Sequence, residues 1–369
     1  MTALLTQYDA WLTDEGPAAL VIREHLMPVE GRDAVLFPPT FAAEQGNAPD
    51  RFKGGYNIDP SPDAENNVCL VDTVGSQANR VEPIFAKPKY AGLVPQITIR
   101  AGEKRINILE AGHRAGDALV RCSRLQDLLQ RAFKDLLKGN AEPLAKIAPT
   151  SLIFGVWDSR DTQAKVPRLV ASTIRALNVR RLTRSANYLV QQHLDYVEEG
   201  LLAEPKDKAE KDRYSERGFL NAIASATHGG VIATGGIRRD ATLSIAALRL
   251  LSCGADGEKT KILQRYLLGL ALTAFTHPSA FVGYLRQGCT LVLEPEAKPH
   301  PREIFEVYPD GRRVPAAITH NGALEYARDT AETFEVGQSQ EVEFDKKKAE
   351  ADVAGDETKD KKGGKKSPK

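Results

Sequence analysis

Strand-like and helix-like segments follow one another along this chain without a fixed period, and that irregularity constrains the fold more than any other feature. Residues 19–29 read as a strand. The Phe37-Pro38-Pro39-Thr40-Phe41 run reads as a stiff turn that proline keeps out of a ladder, and a long polar loop follows. Cys69, Leu70, Thr73, Val74, Gln77 and Val81 fall at helical spacing, with Pro83 closing the helix. Short strands are expected at 96–100 and 106–110, and a helix over 124–137, where leucines share one face. Residues 151–157 read as a buried strand, 168–182 as a strand or extended arm, and 206–217 as a solvated charged loop. Farther on, 229–245 is glycine-punctuated and β-like before 246–251 turns helical, and 259–275 predicts a long helix. Strands at 287–293 and 304–308, a turn at Asp310-Gly311 and a last helix over 323–334 complete the pattern. A doubly wound parallel fold needs regular alternation, so this order predicts an α+β sheet domain with large insertions and no internal repeat.

A chain of 369 residues with 42% hydrophobic content has room for about two domains or for one elaborated domain. Residues 338–369 are rich in lysine and acid and poor in large apolar side chains, so they predict a disordered, mixed-charge tail after a folded domain spanning 1–337. No run of eighteen apolar residues occurs and the start lacks the secretory pattern, so a cytoplasmic protein with no membrane contact is expected. Cys69, Cys122, Cys253 and Cys289 lack CxxC spacing and predict buried free thiols. The histidines form no HxH or HExxH pattern, so neither a structural metal nor a cofactor is expected.

Catalytic patterns are missing as well: there is no GxSxG, no HD or DxD signature and no spaced acid pair with histidine. His113, His228 and His320 sit beside glycine or asparagine in turn-like sequence, where histidine is commonly structural. The glycines of 229–236 lack the Gly-Lys-Ser/Thr ending of a phosphate loop and read as a bulge or a close approach of two backbones. The chain is not expected to be an enzyme.

Net charge is only +1, yet the cations are unevenly placed. Between 160 and 184 stand Arg160, Lys165, Arg168, Arg175, Arg180, Arg181 and Arg184 against the single acid Asp161. Arginine offers a rigid fork of donors suited to phosphate oxygens, so this stretch is a candidate nucleic-acid contact. The same pattern also fits a solvated strand face paired with acids elsewhere. A second candidate is the helix carrying Ser76, Gln77, Asn79 and Arg80, whose hydroxyl, amide and guanidinium groups can donate to a sugar-phosphate backbone, although ordinary solvent-facing helices carry such residues too. Arg238 and Arg239, just after the glycines, are also placed to touch RNA. The RNP consensus of common RNA-recognition domains does not occur.

The run Cys69-Leu70-Val71-Asp72-Thr73-Val74-Gly75-Ser76-Gln77-Ala78-Asn79-Arg80-Val81-Glu82, preceded by Leu36-Phe37-Pro38-Pro39-Thr40-Phe41, resembles the RAMP-superfamily backbone subunit of type I-G (formerly I-U) CRISPR effector complexes. The resemblance continues through Phe154-Gly155-Val156-Trp157-Asp158-Ser159-Arg160, through residues 166–176 and through Gly235-Gly236-Ile237-Arg238-Arg239, covering most of the chain except the tail. It implies a ferredoxin-like, RRM-derived palm with inserted finger and thumb elements. It also implies several copies stacked along one CRISPR guide RNA beside the other subunits of the effector complex, with target DNA reached through the guide. A subunit repeated along a variable guide must ignore base identity, which agrees with arginines aimed at backbone. On the resemblance, Ser76, Gln77, Asn79 and Arg80 belong to a palm contact and Arg160, Lys165 and Arg168 to a loop contact.

Related backbone subunits of type III complexes cut RNA with an aspartate, and Asp158 and Asp161 lie near the basic loop here; the type I resemblance implies no cleavage. The glycine-rich C-terminal loop of many RAMP proteins is not evident. The competing readings are a RAMP-like ribonuclease using Asp158, Asp161 or His228, and a structural protein whose basic stripe docks an acidic partner.

Overall fold

Alternation of apolar and polar side chains from Ala19 to Pro28 (β1) puts Leu20, Ile22, Glu24 and Leu26 on a buried face and Arg23 and His25 on the other. The computed structural model describes residues 8–49, 51–189, 194–278 and 282–363. Further elements are β2 (Val68–Asp72), α1 (Val74–Val81), α2 (Gln126–Leu137), β3 (Val170–Leu177), β4 (Val179–Tyr188), β5 (Ala222–Ala233), β6 (Ile237–Ser244), α3 (Gly257–Phe275), β7 (Cys289–Leu293), β8 (Arg302–Val307) and α4 (His320–Phe334).

The main sheet is antiparallel, with β7, β1, β6, β3 and β2 lying side by side in that order and β8 continuing alongside β1. Taking β1, β3, β6 and β7 as the four principal strands, their spatial order is fourth, first, third, second. Helices α1 and α2 lie between the first and second of these strands, α3 between the third and fourth, and α4 after the fourth. This is the mixed α+β class expected from the irregular alternation.

The buried face of the sheet meets two apolar clusters. Leu20, Ile22, Val170, Ala241 and Leu243 pack with Leu263, Tyr266, Leu267 and Leu270 of α3, while Leu26, Ile174, Ala176 and Ile237 pack with Leu36, Tyr56, Ile58 and Val231. Asp256 caps α3 by accepting from the Lys259 amide at 3.0 Å. Within α3, Gly269 lets α4 come close, since a Cβ there would stand 2.8 Å from Ala327 Cα. Tyr266 stacks on Phe334 of α4 at 4.3 Å and donates to the Leu93 carbonyl at 2.8 Å, so its buried hydroxyl is satisfied.

β4 and β5 leave the main sheet as a two-stranded ribbon. Asn178, at φ +49, makes the bend between β3 and β4. The glycine stretch marks a bulge, as its sequence predicts: pairing slips beside Gly229 and Gly230, where a Cβ at 229 would lie 2.7 Å from the Leu182 carbonyl oxygen.

Local expectations fail where short apolar or charged runs carry two meanings. Cys69 and Leu70 lie in β2, and the helix starts only after Thr73, whose hydroxyl accepts from the Ser76 amide. Residues read as a buried strand from 151 form a helix, Pro149–Phe154, whose side chains are all buried, so no face-to-face periodicity was there to distinguish the two. The charged loop contains the helix Lys208–Glu216, capped by Asp207.

The stretch expected to be a disordered tail holds the strand Gln340–Glu343, parallel to Ile97–Ala101, and the helix Lys346–Gly363. Val342 and Phe344 pack on the larger cluster and Arg121 reaches Asp352 at 2.7 Å, contacts that composition does not reveal. All four cysteines are buried and free. Among the described residues no helix is long and apolar enough to cross a membrane.

Candidate nucleic-acid interface

The two faces of the main sheet carry charge in different ways. On the buried face, between the two apolar clusters, a polar seam crosses the strands. Arg302 of β8 lies 3.1 Å from Glu24, and Glu24 accepts from Arg239 at 2.5 Å. Arg239 also donates to the Ser172 hydroxyl at 3.2 Å, Ser172 donates to Gln77 at 2.7 Å, and Gln77 donates to Asp72. Arg80 closes the series on Asp72 at 3.0 Å. Alternation dictates the seam's place, since Glu24 sits between Ile22 and Leu26, Ser172 between Val170 and Ile174, and Arg239 between Ile237 and Ala241. Low dielectric strengthens each bond and makes the loss of any partner costly.

On the open face the register puts Leu70, Arg175, Arg238 and His25 directly opposite one another on β2, β3, β6 and β1. The next row holds Thr173, Asp240, Arg23 and Glu303. Directly opposed side chains stand about 5 Å apart at Cβ, so facing Arg175 and Arg238 repel unless an anion lies between them. Asp240 offsets part of that charge, 2.8 Å from Arg238 and 3.5 Å from Arg23. Arg175 is exposed and donates to the Thr173 hydroxyl at 2.6 Å.

The basic stretch from 160 to 184 is therefore divided among three places. Arg160, Lys165 and Arg168 are exposed around a small hairpin, Val156–Trp157 against Lys165–Val166. Arg175 stands on the open sheet face with Arg238. Arg180, Arg181 and Arg184 are exposed on the ribbon, where Arg180 and Arg184 share one side of β4 and Arg181 takes the other. Gln77 and Arg239 face inward and are buried, so neither side chain lies on the surface expected to meet RNA. Ser76 and Asn79 are exposed on α1, with Arg80 half-buried beside them.

Asn79 is fixed from below. Arg114, buried with φ +55, donates to Asn79 Oδ1 at 3.1 Å and pairs with buried Glu82 at 2.6 Å. Burial pushes the Glu82 carboxyl up to about 7, against the opposing pull of Arg114. Burial likewise lowers the Arg114 guanidinium. A cavity of about 250 Å³ beside the start of α1 is lined by Thr73, Ser76, Arg80 and Arg286, which adds a further cation next to the α1 residues.

Sequence reasoning passed over Arg23, His25, Trp157 and Arg286. For Arg23 and His25 the signal was available, since both interrupt the apolar period of β1 on the same side. Arg286 comes near α1 only in the folded chain, where both line one cavity. Of the catalytic suspects, Asp158 is buried and accepts from the amide and hydroxyl of Thr162 at 2.8 and 2.6 Å, which ties it to holding its own turn. His228 packs on Tyr56 and against Gly55. Among the described residues no group of three or more potential metal ligands comes together.

Residues 20–181, somewhat under half of the chain, match the family described as CRISPR-associated protein GSU0053 (Cas_GSU0053). The matched span runs from β1 into β4 and so takes in α1, the small hairpin and Arg175. The match supports a role in CRISPR defence. No curated protein matches the chain.

Proposed function

We propose that this chain is an RNA-binding backbone subunit of a type I-G CRISPR effector complex, several copies of which stack along one guide RNA and present it to target DNA. The observation that carries the reading is the cross-strand row on the open sheet face, where Arg175 and Arg238 stand opposite each other with His25 next in line. Like charges held this way are unfavourable in the protein alone and favourable with phosphate between them. Such a row reads charge and spacing, as a subunit shared by every guide sequence requires.

The strand order fourth, first, third, second, with helices after the first and third strands, supports a ferredoxin-like palm. The ribbon of β4 and β5 is the natural thumb, and the segments between β1 and β2 supply finger elements. Partners in this reading are the guide RNA, target DNA through the guide, further copies of the chain and the other effector subunits. The protein holds RNA and does not cut it, in keeping with Asp158 being spent on its turn.

The test is to express the tagged chain with a CRISPR array and its neighbouring complex genes, purify it and sequence the nucleic acid that accompanies it. Spacer-length guide RNA in a large multimer is expected. A monomer without RNA overturns the proposal, and RNA cleavage by the purified chain that is lost on Asp161→Ala replaces it with the ribonuclease reading.

A further inference from the structure

The chain contains two tryptophans that occupy opposite environments: Trp11 is 4% exposed in the core, whereas Trp157 is 56% exposed. An indole is large and apolar, and leaving one in water on a rigid element forgoes burial that folding ordinarily uses. Trp157 is rigidly mounted. Its residue pairs with Lys165 across the small hairpin, and Val156 pairs with Val166. The turn that follows is closed by the Asp158 amide donating to the Ala164 carbonyl at 2.9 Å and by the buried Asp158 carboxylate accepting twice from Thr162. Behind it, the Trp157 carbonyl lies so close to Gly116 that a Cβ there would stand 2.9 Å away.

The surroundings are cationic. The Lys165 ammonium lies 5.5 Å from the indole centroid, and Arg160 and Arg168 are exposed on the same hairpin and its exit. A ligand that matches this site is planar and aromatic with negative charge on its flanks. Single-stranded nucleic acid offers that combination, a base face between two phosphates.

We propose that Trp157 is a stacking platform for one unpaired base of the bound RNA, with Lys165, Arg160 and Arg168 taking the neighbouring phosphates. The inference rests on the RNA-binding reading above and adds to it a base contact that tolerates any sequence, because every base has a π-face. Lys165 then serves twice, beside the ring by cation–π attraction and toward phosphate by charge.

The buried environment of Trp11 makes tryptophan fluorescence a report on Trp157. The full chain is titrated with single-stranded oligouridine and with an abasic ribose-phosphate oligomer of equal length. Oligouridine is expected to quench the exposed emission and the abasic oligomer to bind without quenching. Trp157→Phe is expected to keep RNA affinity while losing the signal, and Trp157→Ala to weaken binding about tenfold at an unchanged salt slope and unchanged Tm. RNA binding without quenching, together with equal affinity for Trp157→Ala, overturns the platform and leaves the phosphate reading standing. Failure of the wild-type chain to bind RNA at all overturns both.

Discussion

Neighbouring residues Arg238 and Arg239 point to opposite faces of the sheet, so removing each side chain has opposite consequences. Arg239 is 1% exposed and holds Glu24 at 2.5 Å. Breaking a buried ion pair from one side costs about 3–5 kcal/mol. Glu24 keeps Arg302 at 3.1 Å, which places Arg239→Ala at the lower end, about 3 kcal/mol. An unfolding entropy of roughly 2 cal/mol/K per residue, applied over 369 residues, converts this to a Tm lower by about 4 °C. Arg238 is part-exposed and pairs with Asp240 on the open face, an interaction worth at most about 1 kcal/mol, so Arg238→Ala moves Tm by about 1 °C. Its effect falls on RNA binding. Losing one phosphate contact reduces the slope of log affinity against log salt by about 0.7. The assays are thermal unfolding and RNA binding across a salt series, run on both variants. Equal losses of Tm in the two, or an unchanged salt slope for Arg238→Ala beside a reduced one for Arg239→Ala, refutes the assignment of the faces.

Three further outcomes follow from particular contacts. Burial, with the nearby charges of His320, Lys87 and Lys89, holds His277 down at about 4 against an ordinary 6.5. The unfolded chain therefore takes up the proton first, and stability present above pH 6.5 is lost as pH falls toward 4; Tm measured over that window should drop, and His277→Phe should flatten the decline. Gly155 sits at φ +80 with Arg168 Cγ 2.9 Å and the Val166 carbonyl oxygen 3.0 Å from the position of an added Cβ, so Gly155→Ala is expected to cost about 1–3 kcal/mol, read as a lowered Tm. Arg168→Glu is expected to weaken binding equally for RNAs of unrelated sequence, and a loss confined to some sequences counts against backbone contact.

Much of the scaffold was legible because period and punctuation are local. The alternation of β1, the apolar run of α3, the Asp310-Gly311 turn and the bulge at Gly229 and Gly230 follow from residues a few positions apart. Where a segment is apolar throughout, as from Pro149 to Phe154, period carries no information and only packing on both sides selects the helix.

The amino-acid sequence by itself determined that this is an α+β chain with a concentration of arginine before and within one long extended stretch. Tertiary structure decided which of those arginines meet solvent. Strand parity turned Arg239 inward and Arg238 outward, and antiparallel pairing brought Arg175, Arg238 and His25 together from positions 25 to 238. It also made part of the expected tail a strand beside Ile97–Ala101, followed by a helix that Asp352 ties to Arg121. The physical reason is that propensity acts over a turn or two of chain. Charge rows and buried seams depend on register between strands far apart in sequence, which forms only when the sheet does.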